Sequence, residues 1–240
     1  MNNFLNEFNV LECRNLTKSY KKGIPVLWNL NLDIPKGKII GLLGPNGCGK
    51  STFIKLIAGI LQPDSGEILL CGNPIGEKSK ALVSYLPERP YFNGGMKVFE
   101  LLNYFGEFYA DFDRERANGL LADLAIDPKA KLKTLSKGTK EKVQLVLVMS
   151  RDAKLYLLDE PIAGVDPVAR EYILSTIVSN YNPEASVIIT THLITDIEQV
   201  LDDFMFVSFG GRILASGNAE EVRNETGKSL DQLFKEVFRC

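Results

Sequence analysis

Two stretches near the start of the chain, residues 10–17 and 27–34, alternate apolar and polar side chains and predict two short strands. Tyr20-Lys21-Lys22-Gly23 is the turn expected between them. The next apolar run, 38–43, does not alternate, as expected of a strand covered on both faces. A glycine-rich loop follows at 44–49, and residues 51–60 then recur at helical spacing. Pro63-Asp64-Ser65-Gly66 predicts a turn into a further strand at 67–71. From about residue 90 to 150 the period changes. Val98, Leu101, Leu102, Phe105 and Phe108, then Leu120, Leu121 and Leu124, stand three or four apart and predict helices. Strand character returns at 155–158, 186–190 and 204–208. The pattern describes an α/β core at 1–89 and 151–215, a helical insert at 90–150 and a helical extension at 216–240. In that extension Ser229 and Gln232 form a capping-box pattern, and Leu230, Leu233, Phe234, Val237 and Phe238 make one apolar stripe, read as packing on its own domain.

Composition changes this picture little. A chain of 240 residues, 45% hydrophobic and 24% charged, has ordinary globular usage and enough length for a real core. A formal net charge of -2 supplies no general field toward nucleic acid or anionic lipid, so a nucleotide must be held by a local device. No apolar run approaches the roughly 18 residues of a membrane span. Residues 1–10 lack the basic-then-apolar order of a signal peptide. Work at a membrane would therefore require another chain to supply the spanning part. Cys13, Cys48, Cys71 and Cys240 are scattered, without a CxxC pair, and read as free thiols in a reducing compartment rather than a zinc site or disulfides.

The chemistry concentrates in two places. Gly44-Pro45-Asn46-Gly47-Cys48-Gly49-Lys50-Ser51-Thr52 fits GxxxxGK[ST] at every fixed position, with the buried strand before it and the helix after it that this phosphate-binding loop requires. Glycines let backbone N–H groups curl around phosphate oxygens; Lys50 reaches the terminal phosphates, Ser51 can bind Mg²⁺, and the helix start turns its positive end to the anion. The second place is 155–161, a buried strand that ends in Asp159, Glu160 and Pro161. At the carboxyl edge of a sheet beside a phosphate loop, Asp159 can hold Mg²⁺, and Glu160, pointing elsewhere, can accept a proton from an attacking water.

In these motifs and their order the chain resembles the ATP-binding cassette family along nearly its whole length, and the exporters of the bacitracin-resistance type in particular. The element that sets that family apart is a signature near LSGGQ, and here Leu135-Ser136-Lys137-Gly138-Thr139 stands in its place. Ala163-Gly164-Val165-Asp166 resembles the family's D-loop, Thr191-His192-Leu193 its switch, and Tyr20 the ring beneath adenine; His192 is the one histidine of the chain. The resemblance implies a P-loop α/β core with an antiparallel β subdomain and an inserted α-helical subdomain. It implies ATP and Mg²⁺ as cofactors, with Tyr20, Gly44, Asn46, Gly47, Cys48, Gly49, Lys50, Ser51 and Thr52 around the nucleotide. Ser51, Asp159 and Glu88 would stand at the metal. Glu160 would be the general base, and His192 would sense the γ-phosphate. Ser136, Lys137, Gly138 and Thr139 would act in trans on a nucleotide bound to a second cassette, so a head-to-tail dimer is implied.

Three positions depart from the family pattern: Glu88 replaces the usual glutamine of the loop after the phosphate-binding half, Lys137 the first glycine of the signature, and Thr139 its glutamine. The expected function is an ATP-hydrolysing subunit, peripheral at the cytoplasmic face of a membrane through a permease partner, that powers transport, with export the expected direction. The alternative is a non-transport cassette protein of DNA repair or translation. Those usually carry two cassettes or coiled-coil arms, whereas this chain has one cassette, no heptads and no basic patch for nucleic acid.

Overall fold

A computed structural model describes residues 9–21, 23–89 and 91–238, the side chains of 168 and 169 excepted. Lys22 of the expected turn, Cys240, and residues 1–8 of the expected leader-free start lie outside the described residues. In chain order the elements are β1 (Asn9–Lys21), β2 (Ile24–Pro35), β3 (Ile39–Leu43), α1 (Lys50–Ile57), β4 (Ser65–Leu70), β5 (Asn73–Pro74), α2 (Glu77–Ala81) and β6 (Val83–Leu86). Then come α3 (Val98–Phe108), α4 (Arg114–Asp123), α5 (Lys137–Met149), β7 (Leu155–Asp159), α6 (Pro167–Asn180) and β8 (Ser186–Thr191). The chain closes with α7 (Ile194–Ile197), β9 (Asp203–Ser208), β10 (Arg212–Asn218), α8 (Ala219–Thr226) and α9 (Leu230–Val237).

Two sheets divide the strands. One is antiparallel, in the order β2-β1-β4-β5; the other has six strands in the order β10-β9-β3-β8-β7-β6, parallel except for β10. β3, β7 and β8 are buried along their whole length, which explains their unbroken apolar runs. One face of the parallel sheet packs on helices α5 to α9, the other on α1 and the antiparallel sheet, while α3, α4 and the outer face of α5 share a third cluster. The architecture is the α/β core, antiparallel layer and helical subdomain expected from the sequence.

Several boundaries move for identifiable reasons. β1 and β2 pair across more residues than their alternation suggested, because bulges scramble the period. Asn15 and Asn29 take left-handed backbone at these irregularities, and the Asn29 N–H donates to Thr17 Oγ1 at 3.1 Å. α1 stops at Ile57 rather than residue 60, since Gly59 turns left-handed (φ 67°) and the Ile60 N–H closes back on the Lys55 carbonyl at 2.9 Å. The last strand runs to Asn218, into the stretch expected as helical from 216. Asn218 Oδ1 then accepts from the N–H groups of Glu220 and Glu221, both at 3.0 Å, and starts α8. α9 has its capping box, Ser229 Oγ with the Gln232 N–H and Gln232 Oε1 with the Ser229 N–H, and its stripe packs on the core of its own domain. Phe108, one of the residues whose spacing predicts α3, ends that helix exposed and lies beside Tyr104 with ring centroids 4.7 Å apart.

Arg151 fastens the helical subdomain to the sheet. Its buried guanidinium donates to both carboxylate oxygens of Asp111 at 3.0 and 2.9 Å and to the carbonyls of Ala81 and Val83, with the Tyr109 ring 3.8 Å away. A planar five-donor group suits this junction, where backbone carbonyls and a carboxylate converge.

Candidate functional site

Parallel pairing brings three strand ends to one edge. Leu43 of β3 stands beside Thr191 of β8, and Asp159 of β7 beside Thr190. The loop that leaves β3 there is held by glycines for steric reasons. A Cβ on Gly44 would stand 2.2 Å from the Val207 carbonyl oxygen, and one on Gly49, at φ 110°, would stand 2.9 Å from Leu27 Cδ2. α1 opens on Gly49 without a side-chain cap, so its positive end remains available to an anion. Lys50 is only 6% exposed, and its ammonium donates to the carbonyls of Gly44 at 2.7 Å and Pro45 at 3.3 Å, inside its own loop. The Cys48 side chain is buried beneath the loop; burial pushes its thiol up, against the opposing charge of Lys50.

Across the edge, Asp159 is 2% exposed and one of its oxygens, Oδ1, accepts from Ser51 Oγ at 3.0 Å and from Thr190 Oγ1 at 2.7 Å. Glu160 follows in left-handed backbone (φ 53°), costly for a residue with a Cβ, and its N–H donates to the Thr190 carbonyl at 3.0 Å. This reversal turns the Glu160 carboxylate away from that of Asp159. Its Oε2 lies 3.0 Å from His192 Nδ1.

Tyr20, Asn46, Gly47, Gly49, Lys50, Ser51, Thr52, Glu88, Glu160 and His192 line a single cavity of about 470 Å³. Asp159 lies under its floor through Ser51. Tyr20 is 60% exposed at the mouth, tethered by its hydroxyl to Thr52 Oγ1 at 3.2 Å, so its ring is open to a flat ligand. Ser51 Oγ, Asp159 and Glu88 offer hard oxygen donors, which fit Mg²⁺. Among the described residues no three His, Cys, Asp or Glu side chains form a cage of their own. Mg²⁺ commonly takes one or two protein oxygens and completes its shell with water and substrate phosphates.

Other expected site residues stand elsewhere. Ser136, Lys137, Gly138 and Thr139 form the N-cap and first turn of α5, with Ser136 Oγ accepting from the Thr139 N–H at 3.1 Å; none lines the cavity. Asp166, just before α6, does not line it either. Ala163, the first residue of the D-loop resemblance, lines the cavity, and three further residues were missed. Val26 lines the cavity, Thr190 positions Asp159, and Tyr85 of β6 lies close enough to Asp159 for that charge to add to the burial that raises its phenol. Of these three only Thr190 left a signal, as the residue ending the strand that pairs with an acidic strand end.

Three comparisons bear on this geometry. The family described as ABC transporter matches residues 27–163. An uncharacterised ABC transporter ATP-binding protein of Synechocystis is 31% identical over 91% of this chain, which spans 66% of that relative's length. The lipopolysaccharide export system ATP-binding protein LptB of Haemophilus influenzae is 31% identical over 90% of this chain and 93% of its own. A solved structure described as the ATP-binding subunit of an ABC transporter superposes with a TM-score of 0.85 at 28% identity, covering 96% of this chain and all of the other.

Proposed function

Because the chain belongs to the ABC transporter family as its ATP-binding component, we propose that it hydrolyses ATP in the cavity of the phosphate loop and drives transport through a membrane partner. The observation that carries the reading is the meeting of two motifs 108 residues apart, with Ser51 Oγ on Asp159 Oδ1 at 3.0 Å, beside the Glu160 and His192 pair.

The loop N–H groups and Lys50 hold the phosphates, Lys50 exchanging its carbonyl partners for phosphate oxygens. Tyr20 stacks on the base. Ser51, Asp159 and Glu88 hold Mg²⁺, which when bound neutralises charge on the phosphate oxygens. Glu160 takes the proton of the attacking water as its oxygen bonds to the γ-phosphorus; the bond to the β-phosphate oxygen breaks, and ADP and phosphate leave. His192, hydrogen-bonded to that carboxylate, steadies it and reads the γ-phosphate.

Ser136 and Gly138 act on the nucleotide of a second cassette, so ATP closes a head-to-tail dimer and hydrolysis releases it. Among the described residues no helix is long and apolar enough to cross a membrane. The spanning part is assigned to a permease, with this chain at its cytoplasmic face. Export is the direction we favour, supported by the lipopolysaccharide export system among the relatives. The names of the relatives give no support to a role in DNA repair or translation.

Lys50→Ala tests the reading. It should abolish ATP binding, measured by calorimetric titration, while circular dichroism shows a folded chain. Wild-type affinity in the variant would overturn the assignment of the loop.

A further inference from the structure

α5 carries an uninterrupted polar line on one of its faces. Lys137, Glu141 and Gln144 follow at the four- and three-residue steps that align side chains along a helix. Each has an unusual setting. The Lys137 side chain is 76% exposed, yet its ammonium lies 3.3 Å from where a Cβ on Gly164 would stand, against the loop that descends from Glu160. It reaches back to Glu141 Oε1 at 3.8 Å. The other oxygen of Glu141, Oε2, is buried and has no hydrogen-bond partner. Gln144 is 2% exposed and its Nε2 is likewise buried without a partner.

A buried carboxamide nitrogen and a buried carboxylate oxygen left without partners are each destabilising by about 1–3 kcal/mol, so side chains without a task would not be expected there. Both residues line one small cavity of about 20 Å³, and the same cavity is lined by Glu88 and Glu160. That volume admits a single water molecule, and the polar groups around it meet the two-to-four partners such a water needs. Burial raises the Glu141 carboxyl, and the charge of Lys137 acts against that rise.

We propose that Lys137, Glu141 and Gln144 are positioning residues for hydrolysis, a polar relay along α5 that fixes the Glu160 and Glu88 carboxylates according to what the exposed first turn of that helix meets. The relay rests on the hydrolytic role given to Glu160 above. Its outer end, Lys137, stands in the turn that faces a second cassette, and also touches the Gly164 loop of its own chain. Its inner end, Gln144, donates through one water toward the carboxylates at the reacting phosphate. Lys137 is thereby more than a solvated charge: it is the point where α5 and the loop after Glu160 are held together.

A double-mutant cycle on the full chain tests this, with steady-state ATP hydrolysis and ATP affinity measured together. Lys137→Met and Gln144→Leu should each lower kcat about tenfold and leave KM for ATP within about twofold, as expected of groups that act on the transition state and not on binding. The double variant should fall no further than the worse single one, since both cut the same line. Lys137→Arg should recover activity, because a guanidinium is also cationic and long enough to reach Glu141 and the loop at Gly164. Multiplying effects, near a hundredfold in the double variant, would overturn the relay, as would an unchanged kcat or a change confined to KM. If Gln144→Leu fails to fold, the exposed Lys137 still decides: wild-type kcat in Lys137→Met would overturn the proposal. Glu160→Gln serves as the control. If it hydrolyses ATP as fast as the wild type, the hydrolytic reading itself fails; if it is inactive while the cycle multiplies, the relay alone fails.

Discussion

The phosphate loop and the first turn of α5 are both glycine-bearing helix starts, yet they are built in opposite ways. At the phosphate loop two of the three glycines are pressed upon: added Cβ atoms at Gly44 and Gly49 would collide with neighbours, and Lys50 and Asp159 are buried and hydrogen-bonded within the chain. At the α5 start, a Cβ on Gly138 would meet nothing within 4 Å, and Ser136 and Lys137 stand open. The first region is organised by its own chain. The second is left open by its own chain, and on the proposed reading its counterpart is the nucleotide of a second cassette.

Substitutions should separate the two regions by what they damage. The largest effect belongs to Glu160→Gln, in which an amide keeps size and hydrogen bonding but takes no proton from water. Hydrolysis should fall at least about a hundredfold while ATP affinity persists; equal turnover in a phosphate-release assay would refute the role of Glu160. A smaller loss is expected from Gly138→Asp. The open space around Gly138 and the favourable placement of a carboxylate in a first helical turn leave the fold intact. The new charge should nonetheless repel the partner's γ-phosphate and lower hydrolysis by at least about tenfold with unchanged ATP affinity. Loss of ATP binding to the single chain would break the contrast drawn between the regions. The smallest effect belongs to Glu88→Gln, whose amide oxygen can still ligate Mg²⁺ or orient water. Mg²⁺-dependent hydrolysis should be retained, and a loss beyond about a hundredfold would give the carboxylate a proton-handling role.

Sequence made the phosphate loop legible because its chemistry is local: glycine, lysine and serine must sit at fixed offsets to wrap a phosphate. Asp159 and Glu160 were legible for a related reason, as charges that end an apolar strand. What stayed hidden depends on pairing across the sheet. Thr190 meets Asp159 only because β7 and β8 run parallel in one register, and no local pattern encodes that register. The buried Arg151 ties the helical insert to β6 through Asp111, 40 residues away, which no local pattern encodes. β6 itself is four residues long, and β10 alternates at a sheet edge, so both lacked the apolar run that marked the central strands. The polar line of α5 escaped notice because charged and amide side chains on a helix ordinarily face solvent, and only packing reveals that Gln144 does not.

The central claim, an active site divided between two chains, is tested most directly by size-exclusion chromatography of Glu160→Gln. Without nucleotide the variant should elute as a monomer. With saturating ATP and Mg²⁺ it should elute as a stable dimer, because on this account each γ-phosphate would be gripped by the loop of one chain and by Ser136 and Gly138 of the other and not consumed. ADP, which lacks that phosphate, should leave it monomeric. A variant that binds ATP at saturation and still elutes as a monomer would contradict the account.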